Sequence, residues 1–337
     1  MSTMYAARFE TKGSYPTWLE NSKPQPQRGE ALVKVRAAAL NRRDYWITQG
    51  QYPGVHPPHI LGSDAVGTLD GLGPDTTSNI EHGQRVLINP GLSWGEIDAY
   101  QSDAFEILGV PRDGTLAQYV CVPIENLHAC PEHLTDAEAA ALPLAGVTAY
   151  RALFTRANLQ AGESLFISGL GGGVSSLGAL FAQAIGAAVY GSSGSDDKLA
   201  ALKECHNITG FNYRSESWMK DTLKASGGID VILDGTGGAG FKDLLKLLKP
   251  GGRLAFYGGT CGKWPEVLPQ HLFYRQVSIL ASTMGSPRDF EAMLGLVSKH
   301  NLRPLVWKSL PPTELNAAFE ALKTHAQQGK VVIAIPH

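Results

Sequence analysis

The sequence predicts an α/β chain of two domains, a mostly β domain followed by a doubly wound sheet of parallel strands with helices on both faces. The first observation behind this is a change of texture near residue 125. Before it, short β-type runs such as ALVKVRAAAL, QRVLINP and LAQYVCVP are separated by G-P, P-G and D-G turns. After it, the apolar runs LFISG, AVYGS, DVILDG and RLAFYGG alternate with helical stretches, which is the pattern of βαβ units. The second observation is length, since 337 residues make about two domains at roughly 150 residues each.

Within the second domain the apolar runs are short and nearly continuous, as parallel strands buried on both faces require. Ser195-Asp196-Asp197 forms an N-cap cluster that opens the helix KLAALKEC, and FKDLLKLLK stops at Pro250-Gly251-Gly252. VSILAST reads as a strand, Pro287 to His300 as a helix, and KVVIAIP as a terminal strand. A terminal β-run suits a β domain, so the tail is assigned back to the first one. The expected division is 1–124 completed by 286–337, with 125–285 between them.

Composition narrows the function. Hydrophobic residues at 43% and charged residues at 18% allow a core throughout. With 29 Lys+Arg against 31 Asp+Glu and no basic run, the chain lacks the electrostatic footprint of a nucleic-acid or anionic-membrane binder, which leaves a small-molecule substrate. Cys121, Cys130, Cys205 and Cys261 show neither C-x-x-C spacing nor a disulfide framework, so buried free thiols in a reducing compartment are expected. The start, MSTMYAARFETKG, lacks a cationic stretch followed by an apolar one, and a cytoplasmic location is expected. Leu165 to Ser195 carries no charge, but glycines and serines interrupt it too densely for a membrane span.

That uncharged stretch has a better explanation. Phe166-Ile167-Ser168 runs as a strand into Gly169-Leu170-Gly171-Gly172-Gly173-Val174-Ser175-Ser176, and LGALFAQAIG follows with helical spacing. Strand, glycine turn and helix in this order make a Rossmann dinucleotide site, in which the glycines let the backbone approach a pyrophosphate and the helix N-terminus offers free N–H groups. Gly171, Gly172, Gly173 and Val174 are the expected contacts, and Ser175 departs from the strict G-x-G-x-x-G pattern. The next strand ends in Ser192-Ser193-Gly194-Ser195 with no acid at its tip. A carboxylate there would bind a ribose 2′-OH and repel a 2′-phosphate, so its absence favours NADPH and disfavours a methyltransferase. Lys198 lies just beyond, and Tyr213 follows in FNYR. Asp196 and Asp197 are read as helix caps.

At this point the residues resemble a family. LNRRDYWITQG, ILGSDAVG, HGQRVLINP, GTLAQYVCVP, AAALPLAGVTAYRAL, SGLGGGVSS, SGSDDKL, GFNYR and LKPGGRLAFYGG occur in order over nearly the whole chain. Together they are similar to the zinc-independent, quinone-oxidoreductase-like branch of the medium-chain dehydrogenase/reductases. The resemblance implies a GroES-like first domain, a Rossmann second domain, NADP(H) held in a crevice between them, and a homodimer paired through VSILAST. It implies that Gly194, Lys198 and Tyr213 surround the 2′-phosphate, with Ser193 a further coenzyme contact. Where the zinc branch of the family has its cysteine, histidine and second cysteine, this chain has Asn41, Ser63 and Leu144, and Ser93 to Leu108 holds no cysteine. No metal is therefore expected. His56 and His59 flank prolines, and two ligands do not close a site.

The implied reaction is hydride reduction of a quinone or an α,β-unsaturated carbonyl, because nothing lowers the pKa of an alcohol when a Lewis acid is missing. Asn41 either donates to the developing enolate or caps local backbone. Tyr52 orients the carbonyl or relays a proton, with Tyr45 as its rival. Thr148 lies near the nicotinamide or caps a helix. Gly258 and Gly259 stand at the ligand edge of the sheet or simply end a strand. Lys330 approaches a cofactor phosphate or stands in solvent. Asp44 and Asp64 are read as structural pairing partners, Asp44 beside Arg42 and Arg43. Aromatics in Tyr45 to His56, Trp94 to Phe105 and Trp264 to Phe273 favour an apolar or aromatic ligand. A non-catalytic NADPH-binding chain is the alternative, since fold does not fix function.

Overall fold

The computed structural model describes residues 2–52, 54–206 and 208–337, with the backbone alone for Cys205 and His206. The chain divides into two units, Met1–Ala145 with Ser286–His337, and Gly146–Gly285.

In the first unit, strand Glu30–Ala39 alternates as a sheet requires, with Val33 and Val35 buried while Arg36 reaches outward. It is the spine of a seven-stranded sheet ordered Leu127–Ala129, Arg85–Ile88, Asp64–Leu72, Glu30–Ala39, Lys330–Ala334 and Val306–Leu310, with Tyr119–Pro123 also paired to the spine. Strand Lys330–Ala334 lies antiparallel to the spine, Val332 opposite Ala39, and parallel to Val306–Leu310. The core of this unit gathers Val33, Leu40, Ile47, Leu61 and Ile88 with Phe319 from the helix Leu315–Thr324.

The expected boundary at 124/125 moves to 145/146. Leu127–Ala129 pairs with Arg85–Ile88, and Asp136, at the start of helix Asp136–Ala140, takes Arg85 Nε at 2.8 Å and Arg36 Nε at 3.0 Å. Helical texture therefore begins before the first unit ends, because this helix covers the β sheet.

The second unit is a six-stranded, all-parallel sheet ordered Thr209–Asn212, Ala188–Ser193, Ser164–Ile167, Ile229–Asp234, Leu248–Phe256 and Ser278–Ala281. Numbered within the unit, that order is 3-2-1-4-5-6, so the strand order reverses between Ser164–Ile167 and Ile229–Asp234, where ligands bind in such sheets. Ser164–Ile167 is buried along its whole length. Pro250-Gly251-Gly252 proves to be no separator: helix Phe241–Leu247 ends first, strand Leu248–Phe256 begins at once, and the Pro-Gly-Gly turn is carried as a register shift inside it.

Among the described residues no helix is long and apolar enough to cross a membrane. Cys130 is buried, Cys121 half-buried and Cys261 exposed, which corrects the expectation that the thiols are all buried, and the Cys205 side chain lies outside the described residues.

Candidate active site

Three strand ends of the first unit's sheet bring together residues far apart in sequence. Asn41 follows the spine strand, Asp64 opens its antiparallel neighbour, and Lys330 opens the strand on the other side. Asn41 Nδ2 donates to Asp64 Oδ2 at 2.8 Å, and Lys330 Nζ donates to Asn41 Oδ1 at 2.6 Å and to Asp64 Oδ2 at 2.9 Å. The other Asp64 oxygen accepts the Leu144 N–H at 2.7 Å. All three side chains are buried, with Asn41 7%, Asp64 0% and Lys330 4% exposed.

Two expectations change here. Lys330 does not stand in solvent; its ammonium is buried against Asn41 and Asp64. The Asp44 carboxylate feels the charge of Arg43 but takes its hydrogen bonds from the backbone, accepting the Asn41 N–H at 2.7 Å and the Gly62 N–H at 3.3 Å. Burial pushes the Asp44 carboxyl above the usual range, while Arg43 and the Asn41 N–H pull it the other way. Arg43 is itself buried and donates through Nη1 to Ser63 Oγ at 2.7 Å and to the Leu108 carbonyl at 2.8 Å. Its guanidinium lies 5.0 Å from the Tyr52 ring centre, which braces that half-buried ring. Tyr45 packs instead on Trp46, ring centres 5.2 Å apart.

In the second unit the glycine loop adopts the backbone its sequence demands. Gly169 and Gly171 have φ of +65° and +109°, the left-handed region that favours glycine. Gly172 is the N-cap of helix Gly173–Ala184, and no side chain caps it, so the amides of Gly173 and Val174 begin the helix as an anion site would. Ser175, where the strict motif differs, donates its hydroxyl to the carbonyls of Gly169 at 3.0 Å and Gly172 at 2.9 Å, which ties the loop to its helix. Sequence reasoning missed Asp234. This buried carboxylate accepts Ser168 Oγ at 2.5 Å, Thr236 Oγ1 at 2.7 Å and the Thr236 N–H at 2.9 Å, joining the two strand ends at the reversal point. The acid closing DVILD was its only signal.

The tip of strand Ala188–Ser193 has a cradle. A Cβ on Gly194 would lie 2.5 Å from Tyr213 Oη and 3.2 Å from Arg214 Nε, so a larger residue would push these side-chain ends away from the tip. Arg214, next to Tyr213 in FNYR, was not singled out from the sequence. The Ser193 carbonyl accepts the Tyr213 N–H at 3.2 Å, and the Tyr213 side chain is exposed. Lys198 is half-buried, and burial lowers its pKa. Ser195 Oγ accepts the Lys198 N–H at 3.4 Å, while Asp196 accepts from Asn212 Nδ2 at 2.8 Å. Thr148 lies inside helix Pro143–Tyr150 rather than at its start, buried, with Oγ1 4.0 Å from Met284 Sδ. Gly258 and Gly259 follow strand Leu248–Phe256, and a Cβ on Gly258 would meet the Gly235 carbonyl at 3.1 Å. The residues of this crest fit a nicotinamide dinucleotide: a left-handed glycine turn, an uncapped helix start and a side-chain cradle over a strand tip.

Comparison with known proteins agrees with this geometry. A family model of the alcohol dehydrogenase GroES-like domain matches residues 27–132, and one of the zinc-binding dehydrogenases matches 173–299. A zinc-type alcohol dehydrogenase-like protein, YogA, of Leptosphaeria maculans is 34% identical over 333 residues, covering 93% of each chain. The chain belongs to the medium-chain dehydrogenase/reductases. This medium-chain dehydrogenase/reductase is similar to a crystal structure of an NAD-dependent alcohol dehydrogenase, with TM-score 0.93, 33% identity and coverage of 99% of this chain and 100% of that one. It is 27% identical over 329 residues to a quinone oxidoreductase of Mus musculus, covering 93% of this chain and 91% of the relative. Its first unit is thus GroES-like, its second a Rossmann domain, and its class an oxidoreductase.

A zinc ion, which the second family model's description implies, does not fit the first unit's residues. Asn41, Ser63 and Leu144, the positions that the resemblance matches to zinc ligands, present an amide, a hydroxyl and an isobutyl group, and the Lys330 ammonium sits on the Asn41 amide. Among the described residues no three His, Cys, Asp or Glu side chains converge as a metal site needs.

Proposed function

We propose that this oxidoreductase reduces quinones or α,β-unsaturated carbonyl compounds with NADPH in the cytoplasm, without zinc. The observation that carries the reading is the set of groups at Asn41, Ser63 and Leu144, none of which is a usual zinc ligand. Such a site has nothing to acidify an alcohol. A conjugated carbonyl accepting hydride at its β-carbon needs only a hydrogen-bond donor for the oxygen on which negative charge develops.

When bound, the reduced nicotinamide supplies that hydride. Asn41 keeps one N–H after bonding Asp64, and this N–H is the donor to the enolate oxygen. Tyr52, braced on Arg43, orients the carbonyl or returns a proton to the α-carbon. Gly171, Gly172, Gly173 and Val174 receive the pyrophosphate, Ser193, Gly194, Lys198 and Tyr213 the 2′-phosphate, and Thr148, Gly258 and Gly259 the nicotinamide end. The likeness to a quinone oxidoreductase supports the substrate class. Strand Ser278–Ala281 is the edge of its sheet, paired among the described residues with Leu248–Phe256, and a homodimer formed along it would cover the backbone groups on its other side.

The test is a panel of quinones and enals followed by NADPH loss, beside NADH and an alcohol-with-NAD⁺ arm. NADPH-driven reduction is expected, with kcat/KM falling about 100-fold in Asn41→Ala and less in Tyr52→Phe. Alcohol oxidation with NAD⁺, which the likeness to an NAD-dependent alcohol dehydrogenase favours, would replace this reading. Binding of NADPH with no turnover would make the chain a non-catalytic binder.

A further inference from the structure

We infer that Lys330 is the resident cation of this site, a positioning residue that sets the Asn41 amide, and not a coenzyme ligand. The inference rests on the reading of Asn41 given above.

An asparagine amide has two faces, and the one it turns to a substrate decides whether it donates or accepts. Lys330 Nζ can only donate, and it lies 2.6 Å from Asn41 Oδ1. Asp64 Oδ2, when ionised, can only accept, and it lies 2.8 Å from Asn41 Nδ2. Flipping the amide would set N–H against ammonium and oxygen against carboxylate, so a single orientation survives. The triangle closes through the Lys330–Asp64 bond of 2.9 Å, and the Leu144 N–H holds the remaining carboxylate oxygen. Burial of all three side chains keeps water from competing for these bonds. An ammonium on Oδ1 also draws electron density from the amide, which makes its free N–H a better donor. The charge that another branch of the family obtains from a metal is here covalently part of the chain, already balanced by Asp64.

Lys330→Met alone would leave Asp64 unpaired, so the decisive variant is the double substitution Asp64→Asn with Lys330→Met, which removes both charges, its folding checked by circular dichroism. Three measurements are made on it and on the wild type. They are NADPH affinity by fluorescence, kcat at saturating coenzyme, and hydrogen exchange of the Asn41 side-chain amide in 15N-asparagine-labelled protein, its signal assigned by its loss in Asn41→Ala. Positioning predicts NADPH affinity within about twofold of wild type, kcat at least about tenfold lower, and amide exchange at least about tenfold faster. It also predicts that adding the Asp64→Asn/Lys330→Met pair to Asn41→Ala costs no further activity. Weaker NADPH binding with kcat intact at saturation would overturn the inference in favour of a phosphate ligand, as would an unchanged Asn41 amide. If the wild type turns over no substrate, the proposed function fails, and the amide exchange still decides the role of Lys330.

Discussion

The two units build their functional residues in opposite ways. In the Rossmann unit the glycine loop, the strand tip at Gly194 and the start of the next helix lie within about thirty residues of one another, and the side chains over the tip are exposed or half-buried. In the GroES-like unit the trio of Asn41, Asp64 and Lys330 is assembled from strand ends up to 289 residues apart and is largely buried, with Asn41 keeping a small exposed face. On the proposed reading, a site that takes up and releases a large anionic coenzyme leaves its donors open, whereas one that holds an amide in one orientation pairs and buries the groups around it. The first kind of site tolerates substitution at the cost of affinity; the second couples function to folding.

The largest effect that would sharpen this contrast is on stability. Asp64→Ala leaves the Lys330 ammonium buried without its carboxylate, and should cost about 3–5 kcal/mol in urea unfolding. A loss no greater than that of a surface substitution would show that the trio is not a paired, buried unit. Next comes a change of affinity without loss of fold: Lys198→Ala should raise the KM for NADPH about tenfold, leave NADH within about twofold, and leave the unfolding midpoint unmoved. Equal effects on the two coenzymes would dissociate Lys198 from the 2′-phosphate. The smallest is a pH effect in the GroES-like unit. His128 lies against Phe290, ring centres 4.8 Å apart, with Nε2 buried and unpartnered, and burial lowers its pKa against the weaker pull of Glu291. A depressed folded pKa means that the unfolded chain binds the proton more readily, so the stability is complete above the ordinary histidine value near 6.5 and is lost as pH falls through the folded value. His128→Phe should flatten that slope in melts recorded between neutral and acid pH.

Legibility followed the same division. Gly169 to Ser176 could be read directly because a tight turn and a helix start each impose residue types on neighbouring positions. Asp234 escaped because a carboxylate at a strand end looks like any other until Ser168 and Thr236 are brought to it. The burial of Lys330 escaped for the related reason that a lone lysine before a terminal strand is ordinarily solvated, and its partners lie in the first quarter of the chain. The domain boundary was drawn early because helix Asp136–Ala140 has the texture of the second domain while it packs on the first.

The amino-acid order alone determined the two-part architecture and the glycine turn that opens helix Gly173–Ala184, since each depends on residues close together. Only the tertiary structure decided that Lys330 joins Asn41 and Asp64, that Asp44 serves backbone amides, and that Arg214 closes over Gly194. Those contacts arise where strands and loops distant in sequence pair side by side, and burial then makes the hydrogen bonds obligatory.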